Sequence, residues 1–173
     1  MGRDKAALPF EGEPLWQRQL AILRATGASE LLISGRADGP HAESGVSVVE
    51  DLTPGAGPLA ALEALLPRIA NTHAIVLAID LPAMRADFLL MLVKTALAQA
   101  CSVVPESDGR FEPLAAVYAP SLLPLVIECR RGPDHSMQHL LRKAVMSGLA
   151  IAHPIRAEER ALFRNLNFPE DID

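Results

Sequence analysis

The stretch NTHAIVLAIDLPAM, residues 71–84, constrains this chain more than any other. From Ala74 to Ile79 every residue is apolar, and Ile75, Val76 and Ile79 are β-branched. A strand with no polar face has no side to offer to water. HAIVLAI therefore predicts a central strand of a parallel sheet, covered by helices on both faces. Asp80 ends the run, and Pro82 forbids its continuation. The run is much too short to span a membrane.

A strand covered on both faces needs helices between the strands, and the remaining sequence supplies that alternation. WQRQLAILRATG has apolar residues at helical spacing and Gly27 as its stop. ELLISG reads as a buried strand ended by Gly35, RADGPHAESG as a polar loop, and VSVVE as a short strand. GPLAALEALLPRIA is a helix that Pro67 kinks or closes, RADFLLMLVKTALAQA a second helix, and CSVVP another strand. The last third is less regular, with a strand at residues 114–118, two short helices and a late strand near LAIAHPI. The pattern predicts an α/β fold in one domain over residues 1–173, with an open, mostly parallel sheet and helices on both faces. Aromatic residues make up only 4% of a chain that is 50% hydrophobic, so Ala, Leu, Val and Ile must build the core.

A formal net charge of −5 lacks the basic face of a general nucleic-acid binder. Cys101 and Cys129 stand apart in apolar company and read as buried thiols of a reducing compartment. Neither a membrane-spanning run nor the apolar core of a signal peptide occurs in the sequence. The expectation is a cytoplasmic protein with no nucleic-acid and no membrane partner.

In an open α/β sheet, ligands bind beyond the C-terminal ends of the strands. After VSVV come Glu50 and Asp51, then LTPGAGPL, whose glycines let the backbone approach a ligand before a helix opens near Pro58. After IVLAI comes Asp80, a carboxylate costly to bury at such an edge unless it holds a hard cation. The opening MGRDKAALPF carries Arg3 and Lys5, both suited to phosphate oxygens, although basic residues near a terminus are commonly just solvated. His135 and His139 are four apart without a third ligand nearby, and read as a solvated or substrate-side pair rather than zinc ligands. Ser136 reads as a helix cap and Trp16 as a packing residue. Without a G-x-G-x-x-G motif, a nicotinamide or flavin cofactor has no support.

Five blocks, in order along the chain, resemble the molybdenum cofactor guanylyltransferase family. MGRDKAALPFEGEPL is similar to its M-G-x-D-K-x-L-L-P and G-x-P-L segment, and VVEDLTPGAGPLAAL to its D-x-x-x-G-x-GPLAG stretch. VLAIDLPAM resembles its C-D-x-P strand end, DGRFEPLAAVY its G-R-x-x-P-L-x-x-x-Y segment, and NLNFPEDI its N-x-N-T-P-E-D ending. The resemblance implies a Rossmann-like, three-layer domain of the nucleotide-diphospho-sugar transferase type. It implies transfer of GMP from GTP to molybdopterin, with loss of pyrophosphate and help from Mg²⁺. Lys5 would hold nucleotide phosphates and Asp80 would ligate Mg²⁺. Asp51 would contact the nucleotide, and Arg110, Asn165 and Asn167 would lie on the acceptor side. Molybdoenzyme-maturation proteins are the implied protein partners.

The alternatives of the same fold are a CTP-dependent molybdopterin cytidylyltransferase and a sugar-phosphate nucleotidyltransferase. A third is a non-catalytic relative that binds nucleotide or partners. Some family positions differ here: Ser34 stands for an Asn, PDHS follows Gly132 in place of basic residues, and Phe168 replaces a Thr. The family's first strand and its L-A-G-G-x-S-x-R loop have no counterpart ahead of Met1. The expectation is that roughly fifteen further N-terminal residues, one strand plus a phosphate loop, belong to the working protein. Without them, the strands VSVV or IVLAI would keep unpaired backbone groups.

Overall fold

The computed structural model describes residues 5–50 and 57–166. A 3₁₀ turn, Lys5–Ala7, leads into a small antiparallel hairpin, β1 (Pro9–Phe10) and β2 (Glu13–Pro14). Helix α1 (Leu15–Ala25) follows and stops at Gly27, whose φ of 74° suits a residue without Cβ. Strands β3 (Leu32–Ser34) and β4 (Ser47–Val49) pair in parallel and form a separate two-stranded sheet. Helix α2 (Pro58–Leu65) opens with proline at its first position and tightens into a 3₁₀ turn, Leu66–Arg68, at Pro67.

Beyond α2 lies the main sheet. Its strands are β5 (Ala74–Leu77), β6 (Ser102–Ser107), β7 (Arg110–Phe111), β8 (Ala115–Tyr118) and β9 (Ala150–Pro154). Helices α3 (Ala86–Gln99), α4 (Leu123–Arg131) and α5 (Met137–Met146) cover it, and a 3₁₀ segment, Ala157–Phe163, follows β9. Strand β8 lies between β5 and β6 and is antiparallel to both, while β9 runs parallel to β6. Alternate residues of β6 and β8 face opposite layers. Val104, Ala116 and Tyr118 pack with α2, α4 and α5, whereas Val103, Ala115 and Val117 pack with α3. This is the three-layer α/β arrangement expected from the sequence, with helices on both faces of the sheet.

The position of β5 differs from its expected central place. All four of its residues are only half-buried, and among the described residues it pairs only with β8, antiparallel. The buried central strands are β8, throughout, and β6 over its first four residues. Among the described residues, no strand pairs with β5 on the side away from β8, or with β3 on the side away from β4. A cleft lies between them. Leu32 to Gly35 and Val76 to Asp80 line one end of it, and Glu30 to Leu32 with His73 to Ile75 line the other. β3 and β5 therefore run in the same direction. Together with β4, β6 and β9 they make a mostly parallel set, against which β8 and the two-residue β7 run backwards.

Candidate active site

The cleft is widest at the C-terminal ends of β3 and β5, where it forms a cavity of about 580 Å³. Its lining is mostly apolar, and its polar residues include Lys5, Gln19, Ser34, Arg36, His41 and Asp80. Gly57 and Pro58, at the start of α2, also line it, so a helix N-terminus borders the cavity.

Helix α1 sets the turn that carries Asp80. Gln19 donates both side-chain N–H groups across the turn, to Ala78 O at 2.8 Å and to Leu81 O at 3.0 Å. Arg18 Nε donates to Pro82 O at 2.6 Å, and its guanidinium stacks 4.9 Å from the centre of the Phe10 ring. On the other side, Ala78 N donates to Leu114 O at 2.7 Å. Asp80 is thus held between two backbone anchors instead of riding on a free loop. Gln19 lies on the apolar stripe Trp16, Gln19, Leu20, Leu23, all of which line the cavity. A polar residue at a buried stripe position is a signal of this role in the sequence itself.

Three distant segments meet at the mouth. Leu166 N donates to Asp80 O at 3.0 Å, and Lys5 Nζ donates to Leu166 O at 3.5 Å. One residue near the end of the described chain therefore ties the first segment to the end of β5. Asn165 is exposed and adjacent in sequence to this tie. Asp51 and Asn167, like Arg3, fall outside the described residues.

Arg110 is exposed on β7 and is not part of the cavity lining. Burial pushes the nearby Glu112 carboxyl above its ordinary pKa, and the charge of Arg110 opposes that rise. The rest of the Arg110–Tyr118 block is structural support. Tyr118 OH donates to Pro113 O at 2.7 Å, and Gln138 exchanges two hydrogen bonds with the Phe111 backbone. These contacts seat Pro113 and Leu114 against the cavity.

His135 Nε2 lies 2.7 Å from Gly132 O, and His139 Nδ1 lies 3.6 Å from an Asp134 carboxylate oxygen. Ser136 accepts a hydrogen bond from His139 N at 3.2 Å, the helix cap read from the sequence. Among the described residues, no three His, Cys, Asp or Glu side chains converge to hold a metal. Magnesium asks for less. It takes one or two carboxylates and fills its remaining positions with water and substrate phosphate oxygens. A single carboxylate such as Asp80, at the mouth of a roomy cavity, fits that demand.

The chain is similar to several known proteins. It is 38% identical, over its whole length and 87% of the relative, to a probable molybdenum cofactor guanylyltransferase of Opitutus terrae. It is 27% identical, over 98% of its length and 84% of the relative, to the molybdenum cofactor guanylyltransferase of Xanthomonas euvesicatoria. Among solved structures it resembles the molybdopterin-guanine dinucleotide biosynthesis protein A of Archaeoglobus fulgidus. That match has a TM-score of 0.78 and 23% identity, covering 99% of this chain and 88% of the other. A 2-C-methyl-D-erythritol 4-phosphate cytidylyltransferase from Thermus thermophilus gives a TM-score of 0.72 at 19% identity, covering 97% and 90% of the two chains. At such identities the structural likeness carries the fold alone. The family model described as the MobA-like NTP transferase domain matches residues 1–149, and the chain belongs to that family of nucleotidyltransferases.

Proposed function

We propose that this chain is a molybdenum cofactor guanylyltransferase, transferring GMP from GTP to molybdopterin. A phosphate oxygen of molybdopterin forms a bond to the α-phosphorus of GTP. The bond from that phosphorus to its bridging oxygen breaks, and pyrophosphate leaves with the electron pair. Such a transfer asks a protein mainly to position reactants and offset developing charge. The observation that carries the reading is the junction at the cavity mouth, where Lys5 and Asp80 are tied through the Leu166 backbone. A cation and a carboxylate held at the C-terminal ends of parallel strands suit a nucleoside triphosphate and its metal.

In this reading Lys5 neutralises phosphate charge and Asp80 holds Mg²⁺, which supplies Lewis-acid charge stabilisation at the phosphates. Gln19 and Arg18 keep the Asp80 turn in place. Asp51 contacts the nucleotide, and Asn165, Asn167 and Arg110 serve the acceptor side. The choice of guanine and of molybdopterin follows the names of the relatives.

The test is pyrophosphate release from GTP, CTP, ATP and UTP, each with Mg²⁺ and molybdopterin. Release with GTP well above the other three is the expected result. A preference for CTP would make the chain a cytidylyltransferase. No release with any nucleotide, in a preparation whose melting temperature responds to Mg²⁺·GTP, would leave a binding protein.

A further inference from the structure

We propose that His41 contacts the nucleobase and sets which nucleoside triphosphate the cavity prefers. The inference rests on the nucleotidyl-transfer reading and adds to it a residue outside the five blocks that resemble the family. His41 is only 7% exposed, yet it lines the cavity beside Gly35 and Gly39. Its Nε2 is buried and has no hydrogen-bond partner. A buried ring nitrogen left unpaired costs free energy, and an apolar ring would avoid that cost. Packing alone therefore does not account for a histidine here.

The loop between β3 and β4 is built around this ring. Gly35 N donates to Val49 O at 3.1 Å and fastens the start of the loop to the end of β4. Gly39 N then donates to Arg36 O at 3.2 Å, Ala42 N to Gly39 O at 3.0 Å, and Ser44 N to His41 O at 2.9 Å. Gly39 lacks the positive φ that calls for glycine at Gly45. Its reason is room. A Cβ on Gly39 would come within 2.9 Å of His41 Nδ1 and 3.2 Å of Nε2, and one on Gly35 would lie 3.8 Å from Cε1. These glycines leave space for the nitrogen-bearing edge of the ring, and both line the cavity.

The place of His41 decides what it meets. Lys5 and Asp80, the groups for phosphates and metal, stand at the end of β5, whereas His41 stands by the end of β3, across the cavity. A nucleoside triphosphate held by its phosphates at β5 extends its base toward β3. A base is apolar on its faces and polar along its edge, which suits a mostly apolar lining with few polar groups. Nε2 can donate to or accept from that edge, according to tautomer, and the bases differ in the donors and acceptors they present. A base that leaves the buried nitrogen unpaired keeps its desolvation cost in the complex, so the contact discriminates.

The test measures binding of GTP, CTP, ATP and UTP, each with Mg²⁺, to the intact protein. Inorganic tripolyphosphate with Mg²⁺ serves as the probe without a base. His41→Phe removes the nitrogens and keeps a flat ring, while Gly39→Ala keeps the histidine and pushes it from its place. Each should lower the affinity ratio between the best-bound nucleotide and the next by roughly three- to tenfold, the worth of one neutral hydrogen bond, and leave tripolyphosphate affinity unchanged. An unchanged ratio in His41→Phe, or in Gly39→Ala where His41→Phe does not fold, would overturn the proposal. So would a loss of tripolyphosphate affinity in step with that of the nucleotides. A parent protein that binds all four nucleotides equally would overturn it too, and leave nucleotidyl transfer standing. A ratio that favours CTP and falls in the variants would support His41 and correct the guanine reading instead.

Discussion

Asp80 and Lys5 stand out in the sequence because each sits where chemistry interrupts a pattern. One ends an apolar run, and the other lies in a motif. The structure adds that they are joined through a third residue, Leu166, which no periodicity could reveal. Asp80→Asn should keep the melting temperature and abolish the Mg²⁺-dependent part of GTP binding; equal Mg²⁺·GTP affinity would remove the residue from the metal site. Lys5→Ala deletes a preorganised cation, and loss of such a group costs roughly 100-fold or more in turnover. Because the hydrogen bond from Lys5 to Leu166 O is long, at 3.5 Å, its removal should leave stability within about 0.5 kcal/mol. Near-parental turnover would count against it. Gln19 is different, since it positions Asp80 without touching phosphate in the proposed reaction. Gln19→Leu strands two buried carbonyls, so it should destabilise by about 1–3 kcal/mol and raise KM for Mg²⁺·GTP. A stability loss with unchanged KM would show that the turn holds without it.

Element by element, the helices fell close to where their spacing put them, and Gly27, Pro67 and Ser136 marked ends that the structure confirms. The strands were located as well, but their neighbours were not. An apolar run reports that a strand avoids water, not which edge it offers to which partner, so β5 was expected at the centre and lies instead beside the cleft. Nor did any sequence signal announce the 3₁₀ segment Ala157–Phe163 as the support for Leu166. Glu159 anchors that segment: its buried carboxylate accepts from the Arg156 backbone N–H at 2.9 Å and from Arg156 Nε at 3.0 Å. The Arg156 side-chain hydrogen bonds hold the Glu159 carboxyl below the ordinary carboxylate range. A depressed folded-state pKa stabilises the fold above the ordinary Glu pKa, and that contribution is lost as pH falls through the depressed value. Acid should therefore speed exchange of the Leu166 amide before the β6 amides respond, and Glu159→Gln should flatten this acid dependence. Simultaneous exchange of both sets across the acid range would disconnect Glu159 from the site.

At the scale of the molecule, the main sheet and the β3–β4 pair are held by different means. β6 and β9 pair over five residues in register, and Val103, Val104 and Ala115 to Tyr118 are completely buried between helical layers. β3 and β4 pair over three residues, and Val49 is the one fully buried residue of their six. No backbone ladder joins that pair to the main sheet among the described residues, so helix packing across the cleft must do the joining. Local opening free energy follows buried contact and shared hydrogen bonding, so the two regions should open separately. In native-state hydrogen exchange, amides of Leu32, Ile33, Val48 and Val49 should exchange at lower denaturant than those of Val103, Val104 and Val117. Exchange of all these amides through a single global opening would mean that helix packing alone already couples the two sheets.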